Sequence, residues 1–190
     1  MKNGDVRKKL IESTITVIAE KGLDKTTTKA ISIDSNLNEV YIYRNFESKE
    51  EMIKCAFEVL DRELLQVILD STPILEEDLP IQERCNRVVS SIWAFLLQDS
   101  KRCKSYIRYY YSPYFHDFSA KTHSELYAEA IEKFVPVFKE GVIVRLFLHY
   151  ILDAMLATAI KVFDGSMPEG DKTEEYLCEV IYSSIQSRLK

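Results

Sequence analysis

The sequence predicts an all-α protein, with an N-terminal three-helix helix-turn-helix domain followed by a larger helical body. Three observations carry this. Stretches with apolar residues three and four apart dominate the chain. Only 5 Gly and 5 Pro among 190 residues leave little material for a turn-rich β fold. The stretch TTTKAISIDSNLNEVYIYRNFESK, residues 26–49, reads as two short helices around a tight turn. In that pattern the second helix enters the major groove of DNA.

The elements follow in order. A first helix is predicted over about Asp5–Lys21, with Val6, Leu10, Ile11, Ile15 and Ile18 on one face and Gly22 ending it. Arg7, Lys8 and Lys9 at its start read either as a solvated face or as a basic arm reaching phosphate or minor groove. The next helix begins near Thr27, whose hydroxyl can cap it. Asn36 tolerates the left-handed conformation that ends many helices, Leu37 plugs the turn, and Asn38 is a good N-cap for a helix through Phe46. Ser48 and Glu51 form a capping box that opens a long helix to about Asp70. STPILEEDLP is a loop, and Pro80 suits the first turn of a helix to Gln98. DSKRCK breaks it. A short aromatic helix, SYIRYYYSPYF, stops near Pro113, and one helix covers Ser119–Lys139, kinked at Pro136. The segment Val144–Phe163 is apolar almost all round, relieved by an Arg145–His149–Asp153 stripe, and reads as buried on most sides. The last helix starts at Thr173 and Glu174, with Leu177, Val180, Ile181 and Ile185 on one face.

Composition narrows the function. The hydrophobic content of 46% supports a real core. No apolar run is expected to reach the ~18 residues that span a bilayer, and the MKNGDVRKK start does not read as a signal peptide; a cytoplasmic protein without membrane partners is expected. The net charge is −5, unevenly placed: residues 1–50 sum to +1 and residues 51–190 to −6. A nearly neutral DNA-binding segment must rely on helix N-termini, hydroxyls and a few cations to meet phosphates. Cys55, Cys85, Cys103 and Cys178 are scattered and read as reduced thiols, with redox sensing as the alternative. His116, His123 and His149 lie in no metal-ligand spacing, and there is no Gly-rich phosphate loop or nucleophile elbow. The expectation is no enzyme, no cofactor and no metal.

The motif resembles the tetracycline-repressor (TetR) family of bacterial transcription regulators. The matching residues are Thr26 and Thr27, Ile31-Ser32, Ser35-Asn36-Leu37, and the run Ile42-Tyr43-Arg44-Asn45-Phe46-Glu47-Ser48-Lys49-Glu50-Glu51-Met52, in register without a gap. The resemblance covers roughly the first quarter of the chain. It implies a DNA-binding domain over 1–48 and a ligand-binding and dimerisation domain over 49–190. It also implies a homodimeric regulator, usually a repressor, bound to a pseudo-palindromic double-stranded operator and released when a small-molecule effector moves the helix after Lys49. The alternative is a DNA-bound scaffold of the same fold that recruits a protein without a small-molecule switch.

The resemblance also assigns residues. Thr27, Thr28 and Lys29 would touch phosphates, and Tyr43, Asn45 and Lys49 match backbone contacts. Asn38, Glu39, Tyr41 and Arg44 would face the groove. Glu39 stands where relatives usually carry Lys, and Val40 where they commonly carry a small residue. The family's pocket lies among its middle helices, which points to Trp93, Tyr106 and Tyr110, with Phe57, Phe134, Phe138 and Met155 behind them. The crowded run Tyr106–Phe118 reads equally as plain packing; as a pocket wall, tyrosines supply apolar faces and hydroxyls for a neutral, fairly hydrophobic ligand. By their own apolar faces, the helix over 144–163 and the last helix either pair with those of a second copy as a four-helix bundle, through Leu156, Leu177, Val180, Ile181 and Ile185, or serve as core within one copy.

Overall fold

The computed structural model describes residues 3–190, so the reading of the MKNGDVRKK start lies partly outside the described residues. These form eleven α-helices and four short 3-10 turns, with an isolated antiparallel bridge between Phe138 and Leu189. Contacts gather the chain into two compact units. Of the described residues, one holds those up to 62 and 100–123, the other 63–99 and 124–190. These units are drawn differently from the 1–48 and 49–190 division expected from the motif.

The first unit begins with α1 (Asn3–Lys21), α2 (Thr28–Ser35), α3 (Val40–Asn45) and the start of α4 (Lys49–Ser71). Val6, Leu10, Val17, Ile31, Ile42, Phe46 and Met52 form its core, with Ile11, Ala30, Leu37 and Cys55 packed against them. The periodic apolar face of α1 is therefore the face that is buried. Gly22 follows α1 with φ 84°, a left-handed conformation that a side chain would strain.

The unit also contains α6 (Ser100–Tyr110) and α7 (Pro113–Phe118). The expected break over DSKRCK is confined to Asp99, which is extended after α5 (Ile81–Gln98). SKRCK is helical because its polar residues have work on α1. Arg102 pairs with Glu12 at 2.7 Å and Lys101 with Glu20 at 2.7 Å; one turn beyond this stretch, Arg108 donates to the Ile18 carbonyl at 2.6 Å. Cys103 faces inward.

In the second unit, the expected loop after α4 contains a 3-10 turn, Thr72–Glu76, whose Leu75 is buried. The single helix expected over 119–139 is two, α8 (Ala120–Leu126), whose residues to His123 belong to the first unit, and α9 (Ala128–Phe134), followed by a 3-10 turn over Val135–Val137. Pro136 has no N–H and its ring crowds the preceding turn, so it ends the helix rather than kinking it. α10 (Val144–Phe163) and α11 (Asp171–Ile185) complete the unit.

Two expectations about these last helices are corrected. α10 is long and apolar enough, by length and composition, to cross a membrane, although the sequence reading expected no such run. It is also not buried on most sides: only Val144, Met155, Leu156 and Ala159 are buried, and Leu146, Tyr150, Asp153, Ala157 and Ile160 lie exposed. Their spacing alternates between four and three, so they share one exposed face of the helix, with Asp153 at its middle. On α11, Leu177, Ile181 and Ile185 are buried within the protomer, as is Leu156 on α10, so these four serve its own core and not a surface. Of the expected interface residues Val180 is the exposed one, 39% accessible, with Tyr176 one turn away.

Candidate functional site

The helix-turn-helix is closed by local chemistry at each joint. Thr27 Oγ1 accepts the Ala30 N–H at 3.1 Å and caps α2. Asn36 ends α2 in the left-handed region, φ 51° and ψ 41°. The Leu37 N–H returns to the Ser32 carbonyl, and the Ser32 hydroxyl donates to the Leu37 carbonyl at 2.6 Å. Asn38 Oδ1 accepts the Val40 N–H at 2.9 Å and so caps α3 from two residues upstream. Ser48 Oγ accepts the Glu51 N–H at 3.0 Å, but the Glu51 carboxylate returns to the N–H of Glu47 rather than to that of Ser48.

With Ile42 and Phe46 inside, α3 turns the rest outward. Thr27, Lys29, Asn38, Tyr41, Tyr43 and Arg44 are exposed, and Thr28, Glu39, Asn45 and Lys49 are half-buried. Arg44 lies 5.8 Å from the Tyr41 ring, Asn45 donates its amide to the Tyr41 carbonyl, and Lys49 pairs with Glu50 at 3.5 Å. Ile33 and Val40 add exposed apolar surface to the same two helices.

Arg7 leaves the basic arm. Its guanidinium lies 4.2 Å over the Phe46 ring, donates to the Asn45 carbonyl and reaches Cys55 Sγ at 3.2 Å, which ties α1 to the end of α3. Lys8 and Lys9 remain exposed.

The aromatic run builds a second feature in the first unit. Phe57 on α4 stacks on Tyr109, with centroids 4.4 Å apart, and meets Tyr106 and Phe115. Tyr110 meets Tyr106, Phe115 and His123. Within these rings sits a carboxylate that the sequence reading missed. Asp61 is 3% exposed, and its two oxygens lie 2.9 and 3.0 Å from His123 Nδ1. The Tyr106 hydroxyl donates to it at 3.3 Å. A carboxylate only accepts, so it orients the imidazole with Nδ1 as donor. The signal was available in part: Asp61 lies four residues after Phe57, on the inward side of α4. Its partner is 62 residues away and carries no pattern.

Of the expected pocket residues, Phe57, Tyr106 and Tyr110 are thus brought together. Trp93, Phe134, Phe138 and Met155 belong to the second unit, where all four are buried and Phe138 lies against Phe147. Burial raises the thiols of Cys55 and Cys178 above the usual range and pushes Cys85 up to about 11, against the thiolate character a redox sensor needs. Among the described residues no three His, Cys, Asp or Glu side chains group as metal ligands.

An outward-facing second helix on a capped helix-turn-helix, with a helical body behind it in sequence, defines the class of helical proteins built to present a recognition helix. Residues 10–55 match the family model of bacterial regulatory proteins of the tetR family. The chain carries the N-terminal domain of the TetR family, and its full length has the fold of that family's solved structures. A TetR family transcription regulator from Marinobacter aquaeolei VT8 superposes with a TM-score of 0.79 at 15% identity, over 97% of this chain and 98% of that one. The regulator FadR from Bacillus subtilis, solved in complex with stearoyl-CoA, superposes with a TM-score of 0.66 at 18% identity, over 94% and 98%. In sequence, the biofilm operon icaADBC HTH-type negative transcriptional regulator IcaR of Staphylococcus aureus is 35% identical over 60 residues. That match covers 30% of this chain and spans about a third, 32%, of the length of the curated relative.

Proposed function

We propose that the protein is a cytoplasmic, homodimeric TetR-like transcriptional repressor that binds a pseudo-palindromic operator and is released by a small, fairly hydrophobic ligand. The observation that carries this is α3, anchored inward by Ile42 and Phe46 while Tyr41, Tyr43 and Arg44 stand in solvent. A helix so held serves to read a groove. The negative regulator IcaR, similar over this segment, supports repression.

The exposed Leu146, Tyr150 and Ile160 on one face of α10 and the Tyr176–Val180 side of α11 support pairing with a second copy, through residues other than most of those first expected. Two copies related by a two-fold axis match two half-sites. The tyrosine-walled cluster around Phe57, Tyr106 and Tyr110 supports an effector site in the first unit, with Trp93, Phe134, Phe138 and Met155 as second-unit candidates. A neutral effector fits, because the Asp61 carboxylate already has His123 and Tyr106 on it. That FadR was solved with stearoyl-CoA supports a partly apolar effector. The scaffold alternative draws on the same rings, which pack directly on one another. Identifying small molecules that copurify with the protein, and adding them back to a protein–duplex complex, separates the two. Release supports the switch, and a protein that carries nothing and stays on DNA favours the scaffold.

Two substitutions test the DNA surface. Lys49→Ala is expected to weaken binding about equally on all duplexes and to lower the slope of log affinity against log salt by about 1, the signature of one lost phosphate contact. A changed base preference with an unchanged slope contradicts that role. Glu39 makes no side-chain capping bond at the start of α3. A carboxylate there repels phosphate unless it accepts from a base, such as the cytosine amino group. Glu39→Lys is therefore expected to raise affinity for random duplex at low salt and to relax discrimination at one operator position. Unchanged affinity on random duplex would mean that Glu39 points away from the groove.

A further inference from the structure

We propose that Val40 reads a thymine, packing on its C5-methyl group in the major groove, so that each half-site carries a T opposite the start of α3. This rests on the DNA-binding reading above and adds a base to it. Val40 is the first residue of α3 and 51% of it is exposed. In helix-turn-helix docking, the first residues of the second helix lie nearest the base edges. Ile42, two residues on and so across the helix, is fully buried. Val40 therefore has no part in the core and shares its outward stripe with Tyr43 and Arg44.

Its neighbours decide what it can read. The Asn38 side-chain oxygen is turned back onto the Val40 N–H, away from the pose that a bidentate adenine contact needs. Glu39 is a carboxylate and cannot approach the N7 and O6 acceptors of guanine. Arg44 lies one turn further along, beside the Tyr41 ring. The first turn thus presents no guanine-reading cation and one branched apolar side chain, stiff at χ1. In the major groove the thymine methyl is the apolar group the bases offer.

The test begins with duplexes that the wild-type protein enriches from a random library, which define its half-site. Each T is then replaced in turn by deoxyuridine, which removes the C5 methyl and nothing else. One replacement per half-site is expected to weaken binding by about fourfold, the worth of one buried methyl. Val40→Ala, which should melt at the wild-type temperature because Val40 is outside the core, is expected to lose that sensitivity while keeping its preferences elsewhere. A half-site in which no deoxyuridine weakens binding, or a Val40→Ala protein as methyl-sensitive as wild type, overturns the assignment and leaves DNA binding standing. If no sequence is enriched at all, the DNA-binding reading fails and this inference with it.

Discussion

Asp61→Ala is expected to lower the free energy of unfolding by about 2–4 kcal/mol, since it removes the acceptor that serves two buried donors. Asp61 and His123 are 3% and 5% exposed, and His123 lies edge-on to Tyr110 and Phe115 at 5.6 and 5.3 Å. The substitution takes the acceptor from His123 Nδ1 and from the Tyr106 hydroxyl and leaves a void among packed rings. Its effect should reach beyond one bond, because Phe57 and Tyr106 are in ring contact and are held from α4 and α6 together. Asp61→Asn keeps the shape and one acceptor, so it should cost about 1–2 kcal/mol. Urea unfolding measures both, with an unchanged denaturant slope needed to read the midpoint shift as stability. A loss under about 1 kcal/mol for the alanine variant would mean that the pair does not hold this cluster together.

The second large effect separates two neighbours on α11. Ile181 is 1% exposed and Val180 is 39% exposed. Ile181→Asp places a carboxylate in the protomer core, where an unpaired charge costs several kcal/mol, and is expected to lower stability by about 4 kcal/mol or prevent folding. Val180→Asp sits at the surface, where substitutions usually change stability by no more than about 0.5 kcal/mol. Its expected effect is on association, because the aspartate would face a second copy beside Tyr176. Unfolding must be followed at several protein concentrations, since association adds to apparent stability. A stable Ile181→Asp protein, or a Val180→Asp protein that associates as tightly as wild type, contradicts this division of α11.

What the residues reveal in order is what depends on near neighbours. Thr27, Asn36, Asn38 and Ser48 announced the joints of the helix-turn-helix because each acts within a few residues of itself. The span of α10, Val144–Phe163, was legible from its composition. What it packs against was not, since an apolar helix looks the same whether its neighbour is its own core or a second chain. Leu156, Leu177, Ile181 and Ile185 fit either reading in sequence for that reason, and in the structure they are buried in the protomer. The helicity of SKRCK depends on Glu12 and Glu20, about 80–90 residues away. Arg7 looked like a basic arm because its partners, Phe46 and Cys55, meet it only through the fold. The outward residues of α3 could be named from the motif, but what each side chain is free to meet depends on commitments such as that of Asn38 to the Val40 N–H.

The proposed function requires two copies of this chain to present two recognition helices to one operator. Sedimentation equilibrium at micromolar concentration, alone and with a library-selected duplex, tests this most directly. The expected masses are twice the 22.1 kDa of the chain for the free protein, and that dimer plus one duplex for the complex. A 22.1 kDa species that stays monomeric alone, or that binds the selected duplex no better than random sequence, would contradict it.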